Sequence, residues 1–162
     1  MTNYIAPIDD MMFLYEKLRN NKNYNDLDKY KEITPELVKD ILVEAAKINQ
    51  NIILPLAKIG DENPTVLENG IVRTPPGYKD AYNKFVEDGW QSLSCDSKYG
   101  GQGMPKTVSA FFDEMLSSAS LSFKLYSELT IGAYNCINRH AEDSIKNKFL
   151  PKMVEGKWSG TM

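Results

Sequence analysis

Val108, Phe111, Phe112, Met115, Leu116 and Ala119 recur at steps of three and four. That spacing lines one face of an α-helix, whereas a strand alternates with a period of two. The same rhythm returns along most of the chain. Ile8, Met11, Met12, Leu14, Tyr15 and Leu18 share a face between Pro7 and Asn20. Leu37, Val38, Ile41, Leu42, Ala45, Ile48, Ile52 and Ile53 form a broad stripe behind Thr34-Pro35-Glu36. That triplet starts a helix: Thr caps, Pro fits the first helical position, and Glu suits the first turn. Pro55 is expected to kink this helix rather than end it, because Leu56 and Ile59 continue the face. Tyr78, Ala81, Tyr82, Phe85 and Val86 define a helix from Gly77 to about Asp88, stopped by Gly89. Leu121, Leu125, Leu129, Gly132, Ala133 and Cys136 mark another from Ser120 to about Arg139, its small residues allowing close helix approach. A short helix follows over Asp143 to Leu150, and Pro151 opens a further turn.

Between these segments lie loops. Asn20 to Tyr30 is polar, and Gly60 to Pro76 is broken by Pro64, Gly70, Pro75 and Pro76. Ile71-Val72 is expected to pair briefly as a strand. The last residues, KWSGTM, have strand character. The 162 residues suit a single domain able to bury about 70% of its unfolded surface. The fold class that follows is all-α, a bundle of about six helices held by packed apolar faces.

Charge and composition exclude several functions. The net charge is −3, with no block of Lys or Arg. A nucleic-acid surface needs such a cluster, so none is expected. No run approaches the roughly 20 apolar residues of a membrane span, and the N-terminus lacks a signal-peptide pattern. A cytoplasmic protein is expected, with Cys95 and Cys136 as free buried thiols. His140 is the sole histidine. It lacks convergent ligands for a metal, so it reads as structural or surface.

YGGQGMPKT, residues 99–107, raises the question of phosphate binding. A P-loop requires Gly before Lys-Thr, because backbone N–H groups wrap the phosphates. Pro105 stands there instead and has no N–H. G-x-G-x-x-G also fails after Gly101 and Gly103. The segment is expected to bend the chain into the helix that follows.

Taken in order, these segments resemble the acyl-CoA dehydrogenases, over nearly the whole chain. DGWQSLSCDSKYGGQGMP is similar to that family's DGW and YGGqG segment, and FDEMLSSAS to the helix after it, with Glu114 at a usually acidic position. IGAYNCINRHAEDSIKNKFLPKMVEGKWSGTM resembles the segment that follows, with Lys146, Leu150, Pro151 and Gly156 in place. Ala141 stands where the family has Gly. The start, YIAPIDDMMFLYEKL, resembles the longer bacterial members, which include 3-methylmercaptopropionyl-CoA dehydrogenases.

The resemblance implies an N-terminal helical domain over residues 31–157, preceded by an extension helix and loop over 1–30. Residues 158–162 would begin a β domain, and the chain is expected to be truncated before it. The family abstracts the proton α to a thioester and passes a β-hydride to FAD. Its catalytic glutamate lies in a C-terminal helical domain, so no catalytic residue is implied here. Glu114 and Glu128 lie on faces that predict structural or solvated roles. The resemblance makes Met162 the one flavin-binding candidate, and places Phe123, Tyr126, Leu129 and Thr130 in one wall of the acyl pocket. It implies acyl-CoA as substrate, and the missing domains or a second copy as partners. Alone, the chain is expected to be inactive. The alternative is a non-catalytic helical module that binds a partner through uncovered apolar surface.

Overall fold

The computed structural model describes residues 3–18 and 27–161. Helix α1 (Ile8–Phe13) runs into a wide π-type turn, Leu14–Leu18. Helix α2 (Pro35–Ile48) begins as the triplet predicts: the Thr34 hydroxyl accepts the Leu37 N–H at 3.2 Å. Such a cap contributes about 1 kcal/mol. A second π-type turn, Asn49–Ile53, carries the rod into α3 (Leu54–Glu62). Here the Leu54 N–H bonds back five residues to the Asn49 carbonyl. The widened turn lets the chain pass Pro55, which has no N–H, without breaking the helix. The Asn49 side chain is fully buried and donates to the Ala45 carbonyl at 2.8 Å.

Helix α3 continues through Glu62, so the loop expected from Gly60 starts later. It opens into a hairpin: β1 (Val66–Glu68) pairs antiparallel with β2 (Ile71–Arg73), Leu67 opposite Val72. The strand expected at Ile71-Val72 is therefore present, with a partner. Helix α4 (Tyr78–Glu87) follows, then the loop 89–105, α5 (Lys106–Ala119), α6 (Leu121–His140) and α7 (Asp143–Val154). Counting α2 and α3 as one rod, the described residues build the expected six-helix, all-α domain. Helix α5 packs on α2 and α6, and α6 packs on α7.

Ser120 is both the last cap of α5 and the first of α6. Its backbone is extended, and its hydroxyl accepts the Phe123 N–H at 3.4 Å. One residue therefore turns one helix into the next. At the other end, α7 does not stop at Leu150 but runs through Pro151 to Val154. Beyond it, residues up to Thr161 form no strand. Trp158 stacks against Phe149 with ring centres 5.4 Å apart, and the Gly160 N–H donates to Thr130 Oγ1 at 3.2 Å. A strand needs a neighbouring ladder, and these residues have none.

The loop 89–105 answers the phosphate question. The amides of Gly100, Gly101, Gln102, Gly103 and Met104 donate to carbonyls of Ser97, Asp96, Ser92, Cys95 and Leu93, at 2.8–3.1 Å. Five consecutive N–H groups are thus consumed inside the loop, and none is left to wrap an anion. A Cβ on Gly101 would collide with the Cys95 backbone, so only glycine closes this turn. Tyr134 of α6 fastens the loop, its hydroxyl accepting the Asp96 N–H at 2.9 Å. Cys95, Tyr99, Tyr134, Leu150, Met153 and Val154 form a small second core beneath it. Cys95 is buried as expected, but Cys136 is exposed on α6.

The largest departure lies on α6. The predicted stripe faces outward: Leu121 is 58% exposed, Leu125 51% and Leu129 36%. The buried face is Phe123, Ser127, Thr130 and Tyr134. Periodicity finds apolar stripes without saying which one meets the core. Here the aromatic rings of Phe123 and Tyr134 win the inward face, and the two hydroxyls travel with them. Ser127 Oγ donates to the Lys124 carbonyl at 3.0 Å, so its burial leaves no unpaired hydroxyl.

Two stability changes follow. Gly101→Ala should lower stability to urea by about 2 kcal/mol, the range for forced overpacking. Gly132→Ala, where an added Cβ meets open space within a helix, should raise it by about 0.5–1 kcal/mol. Burial pushes the Tyr134 and Tyr82 hydroxyls up to about 12. The folded state then keeps protons that the unfolded chain releases near pH 10. Stability is therefore full below pH 10 and lost as pH rises toward 12. In urea titrations, Tyr134→Phe should cost about 1 kcal/mol at neutral pH through the stranded Asp96 amide, and should make the alkaline loss shallower.

Candidate functional site

A chain of aromatic rings crosses the domain. Tyr78 and Phe123 have ring centres 6.1 Å apart, Phe123 and Phe85 5.6 Å, Phe85 and Phe112 5.9 Å, and Phe112 and Trp90 5.0 Å. Each such pair contributes about 0.5–1.5 kcal/mol beyond its buried area. The chain joins α4, α5 and α6, and an open space lies at each end.

At the Tyr78 end is a cleft of about 840 Å³ between the hairpin, α3, α4 and α6. The Tyr78 hydroxyl donates to the Leu56 carbonyl at 3.2 Å and lies 3.0 Å from Ser122 Oγ. It reaches that position because residue 60 is glycine: a Cβ there would collide with the hydroxyl. Tyr82 meets Tyr126 edge to face at 5.0 Å, and Tyr126 is 54% exposed. Arg73, Lys79 and Asp61 stand around the rim.

At the Trp90 end a smaller cavity of about 260 Å³ lies between α5, α6 and the start of the loop. Its walls carry Lys106, Asp113, Lys124 and Glu128. Lys124 and Glu128 pair at 3.0 Å, and Lys106 donates to Ser94 Oγ at 2.9 Å. Crowding around the Asp113 carboxyl pushes its pKa up, against the pull of Lys124. Asp113 nonetheless reaches the surface, so it is not a base poised by deep burial. Sequence reasoning passed over this cluster. The available signal was the Lys124–Glu128 pair, spaced four residues apart on one helix.

The predicted pocket residues do not form one wall within this chain. Phe123 is 2% exposed and belongs to the aromatic chain; Thr130 is 1% exposed and accepts from Gly160. Tyr126 opens onto the larger cleft, and Leu129 stands in the outward stripe of α6. Met162 lies outside the described residues. Glu114, Glu128 and His140 are surface residues, as expected. Among the described residues no group of His, Cys, Asp and Glu is placed to hold a metal ion. None of their helices is long and apolar enough to cross a membrane.

The geometry is that of a helical unit with its apolar residues turned partly outward, and comparison with known proteins shows where such a unit occurs. The family model described as acyl-CoA dehydrogenase, N-terminal domain, matches residues 64–157. A 3-methylmercaptopropionyl-CoA dehydrogenase of Ruegeria pomeroyi is 42% identical over 159 residues, covering 98% of this chain and 27% of that protein. A butyryl-CoA dehydrogenase of Syntrophomonas wolfei is 30% identical over 99% of this chain and 27% of its own length. The broad-specificity linear acyl-CoA dehydrogenase FadE5 of Mycobacterium tuberculosis is 25% identical over the full chain and 26% of its own length. The chain thus spans about a quarter of the length of the curated relatives it matches. Its helices, its glycine-closed loop and these matches agree: the chain belongs to the acyl-CoA dehydrogenase family, as that family's N-terminal domain.

Proposed function

We propose that this chain serves as the helical wall of an FAD-dependent dehydrogenase that introduces an α,β double bond into an acyl-CoA thioester. The observation that carries this reading is the outward stripe of α6, within a domain of this family. Leu121, Leu125 and Leu129 are apolar, ordered on one helix and uncovered in the isolated unit. Exposed apolar patches of this kind mark surfaces that other elements cover. In the assembled enzyme, Leu129 and Tyr126 would face the acyl group, and Phe123 and Thr130 would hold α6 from behind. The exposed thiol of Cys136 suits a reducing compartment, in keeping with work in the cytoplasm.

The described residues do not build a flavin site by themselves. The one candidate, Met162, is outside them, and the loop amides at 100–104 are all engaged within the loop. No step is therefore derived through FAD. This chain's contribution is to bind, orient and exclude water from an acyl chain, which positions it for groups supplied by the rest of the enzyme. The second reading, a non-catalytic interaction module, draws on the same outward stripe and differs in ending at docking.

A dye-reduction assay separates the two. The purified chain alone should not oxidise acyl-CoA, and turnover by it would refute the dependence on further domains. A chimera joining it to the remaining three quarters of the Ruegeria relative should reduce dye with an acyl-CoA. A folded chimera that docks yet turns nothing over would favour the interaction module. Leu125→Glu, at an exposed position, should leave the isolated chain within about 0.5 kcal/mol of its stability. In the chimera the same change should cut turnover at least tenfold, by burying a carboxylate against apolar surface.

A further inference from the structure

Coenzyme A ends in an adenosine carrying a 3′-phosphate and a pyrophosphate, and recognition of that end calls for flat aromatic faces beside fixed cations. The cleft at the Tyr78 end supplies both. We propose that it holds the nucleotide end of the acyl-CoA; this rests on the acyl-CoA reading above. Its volume, about 840 Å³, lies within the range of small-molecule sites, about 300–1,000 Å³. Tyr78, Tyr82 and Tyr126 line it, and Tyr126 is half-exposed and open to a stacking base. Base–aromatic stacking contributes about 1–3 kcal/mol per base.

Arg73 and Lys79 supply positive charge at the rim, against Asp61 alone. The cleft is thus locally cationic in a chain of net charge −3. Arg73 has its nearest carboxylate, Glu68, 4.0 Å away, too far for a hydrogen bond. Lys79 has no ion-pair partner among the described residues, so both are available to phosphate oxygens. Asp61 offers an acceptor for the exocyclic amine of adenine. The site is built rather than incidental: Gly60 lets the Tyr78 hydroxyl seat against α3, and the aromatic chain behind Phe123 fixes the helix that presents Tyr126.

The test is isothermal titration of the 162-residue chain with coenzyme A, dephospho-coenzyme A, 3′,5′-ADP and ATP. Coenzyme A and 3′,5′-ADP should bind saturably, and dephospho-coenzyme A more weakly. Tyr126→Leu should weaken binding about tenfold, the equivalent of about 1.4 kcal/mol. Arg73→Gln should weaken it severalfold and flatten its salt dependence. Both residues are exposed, and circular dichroism checks that the variants fold. Absence of 3′,5′-ADP binding at millimolar concentration overturns the proposal. So does binding that neither substitution changes, or ATP binding as tight as that of coenzyme A. The chimera keeps the two readings apart. Acyl-CoA turnover with a KM unmoved by Arg73→Gln and Tyr126→Leu overturns the cleft assignment and leaves the dehydrogenase reading standing. Tyr126-dependent binding of 3′,5′-ADP without turnover supports the cleft and counts against the dehydrogenase reading.

Discussion

The contact between Phe123 and Phe85 governs the rotation of α6 about its axis. Phe123 enters the core between Tyr78 and Phe85, and Phe85 leans in turn on Phe112. Once that ring is seated, every other residue of α6 has its direction assigned at about 100° per residue. Thr130 and Tyr134 must point inward with it, and Leu121, Leu125 and Leu129 must point away. The outward leucines are therefore a consequence of aromatic packing, and no local property of the leucines predicts them. A bulky ring buries more area than one leucine and gains orientation-dependent attraction as well.

A second dependence runs from Tyr134 into the loop. Its hydroxyl holds the Asp96 amide, and Cys95, two residues behind Tyr134's partner segment in the same small core, sits where Gly101 folds back over it. Helix α6 is thus gripped near its start by the large core and near its end by the small one. Between these grips the helix has room on both flanks, and the two cavities open there.

How much of this was readable from residues differs by element. Helices with one apolar stripe were legible: α2 with its Thr-Pro-Glu start, and α5 with its run from Val108 to Ala119, of which all but Phe111 is buried and Phe111 half-buried. The glycine loop was read correctly as a bend, because Pro105 removes a donor that a phosphate cradle requires. Helix α6 failed because it carries two competing faces, and a stripe of four leucine-sized steps looked like the buried one. The hairpin was half seen. Asn69-Gly70, both with positive φ, is a strong local signal for a two-residue turn, and it marks a partner for Ile71-Val72 that composition alone hid. The cleft was not legible, since it arises from helices distant in sequence meeting around Tyr78. Pocket residues assigned by resemblance to one stretch of α6 scatter over several directions, because a helix cannot present Phe123, Tyr126, Leu129 and Thr130 to a single surface.

Ser120 has a consequence for how this domain tolerates change in length. It closes α5 and opens α6 without an intervening linker, its backbone extended and its side chain capping the next turn. An inserted residue there would have to displace the cap and rotate a twenty-residue helix relative to its neighbour. The tip of the hairpin at Asn69-Gly70 is the opposite case: it is exposed, with nothing near Gly70, and extra residues would spread into solvent at a small entropic cost. Grafted peptides and natural insertions should accumulate at that tip and be absent from the joint between α5 and α6.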